Sequence, residues 1–247
     1  MFIKTIKTLI LYCTHLWVKS RDSKIIFYHD VHLTDNKYTD MSTSITVFKS
    51  HIDEIRQNGF EIVHKIENKK NQIQICFDDG FKGIYDNKDY FIKEAIFPKI
   101  FLAIYLIGQE GYLSEAEIVE LQSLGFHFES HAYSHLNLVS FTDEQLEYEL
   151  GESKLFLEKL LKKTITEICF PIGYFSERVY NFSLKAGYSK MHSSIPGNYF
   201  QEDWNGVVNR NLVQFFSPKE VKFIIFGALI PFRNHYKKRQ FLKETTA

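Results

Sequence analysis

Residues 75–81, Ile-Cys-Phe-Asp-Asp-Gly-Phe, end an apolar run on two adjacent carboxylates and a glycine. The run begins at Ile73 as IQICF, the pattern of a short strand covered on both faces. In a parallel α/β fold, residues just past the C-terminal end of a strand lie on the functional face. Turn chemistry explains Asp-Asp-Gly equally well on its own, since both residue types favour tight turns. The rest of the chain decides between the two.

Outward from this stretch, KIIFYH, EIVH, KIFLAIY, FHFES, EICF and VVNRNLV also read as strands, with amphipathic helical patterns between most of them. Ser114 with Glu117, Thr142 with Gln145, and Ser217-Pro218 with Glu220 have capping-box spacing. Gly125 and Gly187 fall where a helix closes before the next strand. This repeated β-then-α order predicts a mainly parallel sheet, either a barrel or doubly wound. The expected division is an apolar and basic segment at 1–23, a main domain at 24–213 and a helical extension at 214–247.

With 247 residues, 45% of them hydrophobic, the chain is long enough to bury a sizeable core. Thirty basic residues balance thirty acidic ones, which argues against nucleic acid as a partner. Cys13, Cys76 and Cys169 are odd in number and widely spaced, so they are expected to be reduced core residues. The N-terminal stretch lacks a small-residue cleavage pattern, and no window has the apolar length of a spanning helix. A cytoplasmic or membrane-peripheral protein is therefore favoured over a secreted one.

The stretch FESHAYSHLNL follows another strand and carries His131 and His135. A spacing of four on a helical turn would put both imidazoles on one face. Together with one carboxylate they form a ligand set with open positions, as a hydrolytic Zn²⁺ site needs. The neighbouring carboxylate is then free to take a proton from an activated water. The zinc-protease motif is excluded, because Ala132 occupies the position of its glutamate. Non-haem iron oxygenases use the same ligand types, but their carboxylate usually follows the first histidine closely.

These residues resemble the polysaccharide deacetylases of the NodB-homology type, carbohydrate esterase family 4. CFDDGF is similar to that family's Thr-Phe-Asp-Asp-Gly motif, SHAYSH to its His-Ser/Thr-x-x-His motif and CFPIGY to its Arg-x-Pro-Tyr-Gly motif. The resemblance implies an α/β fold, a distorted (β/α) barrel, and metal-dependent removal of acetyl groups from N-acetylated sugars. It makes Asp78 the general base and Asp79, His131 and His135 the ligands of one divalent ion, Zn²⁺ first and Co²⁺ or Ni²⁺ as alternatives. Phe170, Pro171, Ile172 and Gly173 would form the acetyl pocket, with the Ile172 N–H holding the oxyanion. The substrate would be an N-acetylated glycan or a lipid-linked sugar. A non-catalytic carbohydrate-binding relative is the competing class.

Cys169 stands where many members carry the arginine that pairs with the base, and Ala132 where a Ser or Thr braces the histidine loop. The usual C-terminal Leu-x-His is missing, but IIFYHDVH has that shape around His29. Relatives acting on poly-N-acetylglucosamine carry the motif in this permuted place, which would make His29 the general acid, with Asp30 or a backbone carbonyl holding its ring. The plain alternative is a histidine that merely ends the first strand. Arg210 is read either as a partner for a site carboxylate or as a strand residue, and Asp203 with Trp204 either as a sugar-binding rim or as structural. The apolar and basic tail is expected to pack on the barrel, with contact to an anionic membrane as the minority reading.

Overall fold

The computed structural model describes residues 2–34, 38–201 and 204–242, with side chains from Thr8 onward; Asp203 lies outside the described residues. Among these residues the strands are β1 (Lys24–Tyr28), β2 (Asp30–His32), β3 (Ser42–Ser44), β4 (Glu61–Val63), β5 (Gln72–Phe77), β6 (Lys99–Leu102), β7 (His127–Ser130), β8 (Glu167–Cys169), β9 (Lys190–His192) and β10 (Arg210–Leu212). The helices are α1 (Phe2–Trp17), α2 (Ile45–Gln57), α3 (Gly83–Asp86), α4 (Lys88–Lys93), α5 (Glu115–Ser123), α6 (Asp143–Leu161), α7 (Glu177–Lys185), α8 (Pro218–Ile225) and α9 (Arg233–Gln240).

Every pairing in the main sheet is parallel, in the order β10-β1-β5-β6-β7-β8-β9. Its outer strands nearly meet. Val208, just before β10, donates to the Met191 carbonyl (2.8 Å) and accepts from the Ser193 N–H (2.9 Å). The sheet thus curls into the expected distorted barrel, irregular because β4 and β6 share one edge of β5. Alternation along the strands divides the apolar residues in two. Ile25, Phe27, Cys76, Phe101 and Cys169 fill the barrel interior, while Ile26, Tyr28, Ile75, Phe77 and Ile100 join the core beneath the helices.

All three capping boxes form, at Ser114, Thr142 and Ser217. Gly125 and Gly187 follow their helices with φ of 101° and 86°, values that favour glycine. α8 packs on α2, and α1 packs on α8. β9 and the β2–β3 pair were not expected: KMH, DVH and STS are as short as β8 but lie in no apolar run. KIFLAIY is strand only to Leu102, after which a 3₁₀ turn begins at Ile104. Cys76 and Cys169 are buried as expected, but Cys13 is exposed. Among the described residues, no helix is long and apolar enough to cross a membrane.

Candidate active site

The C-terminal ends of β1, β5, β7 and β8 open onto a cavity of about 410 Å³, lined by His29, Asp78, Asp79, His131 and His135 among others. The Asp78 N–H donates to the Tyr28 carbonyl (3.0 Å), which continues the β1–β5 pairing and aims the next residue out of the sheet. Asp79 then takes a left-handed φ of 71°. At Gly80, with φ of 87°, an added Cβ would lie 2.6 Å from the Leu102 side chain, so the motif glycine is a steric requirement.

His131 and His135 do not share a helix face, contrary to the spacing argument. They lie on a loop that Ala132 (φ 61°) and His135 (φ 62°) turn through the left-handed region. Asp79, Ala132, His135 and Ile172 are four non-glycine residues held in that costly conformation around one cavity. Glu149 of α6 supplies the bracing that Ala132 cannot. One of its oxygens accepts from the Tyr133 and Ser134 N–H groups (3.0 and 2.9 Å), and Ser130 Oγ accepts from the Ala132 N–H (3.1 Å).

The loop brings both imidazoles to Asp79. His131 Nε2 and His135 Nε2 lie 3.3 and 2.9 Å from Asp79 Oδ1, which is buried and receives no hydrogen bond. The His131 ring meets the Cys169 carbonyl through Nδ1 (2.8 Å); a carbonyl only accepts, so Nδ1 carries a proton there and Nε2 is the nitrogen that faces Asp79. Three ligand atoms within 4.8 Å of one another, one of them an orphaned carboxylate oxygen, are what a divalent ion would satisfy. These residues could hold a metal.

Asp78 has a different partner. Arg210 on β10 grips it with both arms, Nη1 to Oδ1 at 2.7 Å and Nη2 to Oδ2 at 2.8 Å, with both side chains buried. The guanidinium also donates through Nε to the Ser193 carbonyl (3.0 Å), meets Cys169 Sγ (2.7 Å) and lies over the Phe27 ring (4.2 Å). Burial is the strongest single influence and would push the Asp78 carboxyl up, but the Arg210 charge and its hydrogen bonds, with His131 and His29 added, together hold the group below the usual carboxylate range. The cation absent at Cys169 therefore arrives from another strand, and Cys169, its thiol pushed up by burial, sits beside it as a neutral neighbour.

His29 directly follows β1 and lines the cavity. Gln214, rather than Asp30 or a backbone carbonyl, holds its ring. Gln214 Oε1 accepts from the His29 backbone N–H (3.0 Å) and lies 2.7 Å from Nδ1, so Nδ1 donates to it and Nε2 is the nitrogen left for other partners. Asp30 instead takes the Gly83 N–H (3.1 Å) and the Ser42 hydroxyl (2.8 Å). Phe170, Ile172 and Gly173 line the cavity, and Ile172 is half exposed with φ of 59°. Pro171 is buried and does not line it. Leu229, Tyr236 and Gln240 of the C-terminal segment complete the wall. Trp204 lies away from this cavity, edge-on to Tyr180 and against Phe241.

Residues 65–191, half of the chain, match the sequence profile of the polysaccharide deacetylases. The chain belongs to the polysaccharide deacetylase family. The Bacillus subtilis protein YxkH, whose name places it in the same family, is 25% identical over 198 residues, covering 74% of this chain and 70% of its own. A Bacillus cereus peptidoglycan-N-acetylglucosamine deacetylase is 27% identical over 140 residues, 55% of this chain and 62% of that one. The Streptococcus pyogenes deacetylase PplD, solved in complex with acetate, shares the fold with a TM-score of 0.72 at 17% identity, over 81% of this chain and 96% of PplD. Family membership carries the activity of a hydrolase that splits the C–N bond of an N-acetyl group on a polysaccharide.

Proposed function

We infer that this member removes N-acetyl groups from amino sugars with one divalent ion, Zn²⁺ first, held by Asp79, His131 and His135. The convergence of those three donor atoms beside the Asp78–Arg210 pair carries the reading. When bound, the ion would polarise the acetyl carbonyl and acidify a water. Asp78 keeps a second lone pair on each oxygen while Arg210 fixes its plane, so it can take the proton without swinging. His29, with Nδ1 tied to Gln214, delivers a proton from Nε2 to the leaving nitrogen. Phe170, Ile172 and Gly173 receive the acetyl group; Pro171 shapes the turn beneath them, and the Ile172 N–H is assigned to the oxyanion.

A general acid on β1, ahead of the Asp-Asp pair, supports the permuted order of the poly-N-acetylglucosamine enzymes. The functional unit extends past residue 213, since Tyr236 and Gln240 reach the cavity. A lipid-linked amino sugar is the second substrate reading, and the exposed face of α1 favours it. Acetate release from N-acetylglucosamine oligomers and from a lipid-linked N-acetylated sugar, with and without added Zn²⁺, Co²⁺ and Ni²⁺, tests the proposal. Metal-stimulated release is expected; no release from any of these substrates under any metal contradicts it.

A further inference from the structure

α1 wears its amphipathic pattern inside out. Within residues 8–17 the exposed side chains are Leu9, Ile10, Tyr12, Cys13, Leu16 and Trp17, all apolar, with Trp17 89% exposed. The polar side chains turn back to the protein. Thr8 donates to Glu220 (2.5 Å), Thr14 bonds to carbonyls of its own helix, and His15 stacks on Phe223 (4.9 Å between centroids). A surface helix normally shows water its polar side, so a continuous apolar face turned outward marks a contact surface.

Charge identifies what it contacts. The whole chain is neutral, yet residues 1–21 hold four Lys or Arg and no acid, and residues 211–242 hold six with a single acid, the buried Glu220. Lys19 and Lys222 border the helix where it packs: burial, then these two charges, lower the proton affinity of His15. An apolar face carrying Trp and Tyr, with Lys19 and Lys222 beside the helix and an excess of cations in both terminal segments, suits the headgroup region of an anionic bilayer, where apolar side chains enter the acyl boundary and cations meet lipid phosphates.

We propose that the outward face of α1 docks on an anionic phospholipid surface. Its orientation relative to the cavity is set. Thr8 meets Glu220, Tyr12 meets Phe223 and His15 meets Phe226, so α1 runs parallel to α8. α8 starts just after the C-terminal end of β10, at the level of the cavity mouth, which puts the Thr8 end of α1 at that level too. A bilayer along α1 therefore lies beside the mouth, where a glycan anchored on lipid would present its sugars.

Flotation of the full chain with phosphatidylcholine vesicles, with and without phosphatidylglycerol, tests this against Leu9→Asn/Leu16→Asn/Trp17→Ser. All three side chains are exposed, so unfolding curves and acetate release from a soluble oligomer should match the unsubstituted protein and exclude a folding defect. The unsubstituted chain should float with the anionic vesicles, less so in high salt, and the triple variant should partition at least about tenfold more weakly. Failure of the unsubstituted chain to float, or equal flotation of the variant, overturns the proposal. So does a solution dimer that the same substitutions dissociate without any vesicle binding, which would give the face to a second copy.

Discussion

Arg210 on β10 binds both carboxylate oxygens of Asp78 beyond β5, reaching over the Phe27 ring of the strand between them. The pair restores a cation that the sequence lacks at Cys169, and it does so from 132 residues away. Removing the cation strands a buried carboxylate. Arg210→Met should lose about 3–5 kcal/mol of unfolding free energy, whereas adding Asp78→Asn should return part of it. Urea unfolding of the two single variants and the double variant measures this; additive losses would mean that the pair does not couple. Arg210→Lys keeps the charge but not the two-armed grip, and should turn over poorly.

The histidine loop depends on a carboxylate outside every motif. Glu149→Gln keeps a single acceptor of the same shape, but Glu149→Ala releases the Tyr133 and Ser134 N–H groups. Metal affinity of the alanine variant should fall about 10–100-fold, with a much smaller loss in the glutamine variant. Titration with Zn²⁺ against a competing chelator reads both, and unchanged affinity in Glu149→Ala would remove it from the site.

His29→Ala should bind metal normally and lose on the order of 10²–10⁴ in turnover of amides, with little loss on an activated acetate ester whose leaving group needs no proton. Equal losses on both substrates would return His29 to a structural role. Gln214→Leu keeps the bulk but removes the oxygen that holds Nδ1. Amide turnover should fall while the activated ester is spared, and unchanged amide turnover would break the link between Gln214 and His29.

How far the sequence reaches is visible in these residues. Asp78, Asp79 and the two histidines were legible because strand ends and residue types are local properties. The barrel was legible because strands such as β1 and β5, buried on both sides, read as apolar runs. Arg210 was open to two readings, and Gln214 and Glu149 carry no local sign of their partners: the Arg210 and Gln214 contacts span 132 and 185 residues and exist because β10 pairs with β1. The helical reading of His131 and His135 failed because left-handed residues at Ala132 and His135 leave no mark in a spacing rule. β2, β3 and β9 are short and lie in no apolar run, so nothing marks them.

Acid should weaken the fold over a defined window. His51 is buried between Tyr28 OH (3.0 Å) and the Phe216 carbonyl (2.9 Å), and His192 lies in the barrel beside Glu167 (2.6 Å). Burial pushes each ring down to about 4 from an ordinary 6.5, although the Phe216 carbonyl and Glu167 respectively act to raise them. A depressed histidine is neutral when folded and takes up a proton on unfolding. Its contribution is complete above pH 6.5 and is lost as pH falls from 6.5 to 4, on the order of a few kcal/mol for each. Urea unfolding at steps across that range should show the decline, and His51→Gln should reduce it while the His192 part remains. A flat profile in the unsubstituted protein would contradict the assignment.

Metal content and acetate release measured on the same preparations test the central claim most directly. Asp79→Ala, His131→Ala and His135→Ala should each lose most of the bound metal and the activity with it. Asp78→Asn should keep one metal per chain and still fail to release acetate, because an amide of that shape cannot take the proton. One metal per chain in all three alanine variants, or full acetate release by Asp78→Asn, would contradict the account.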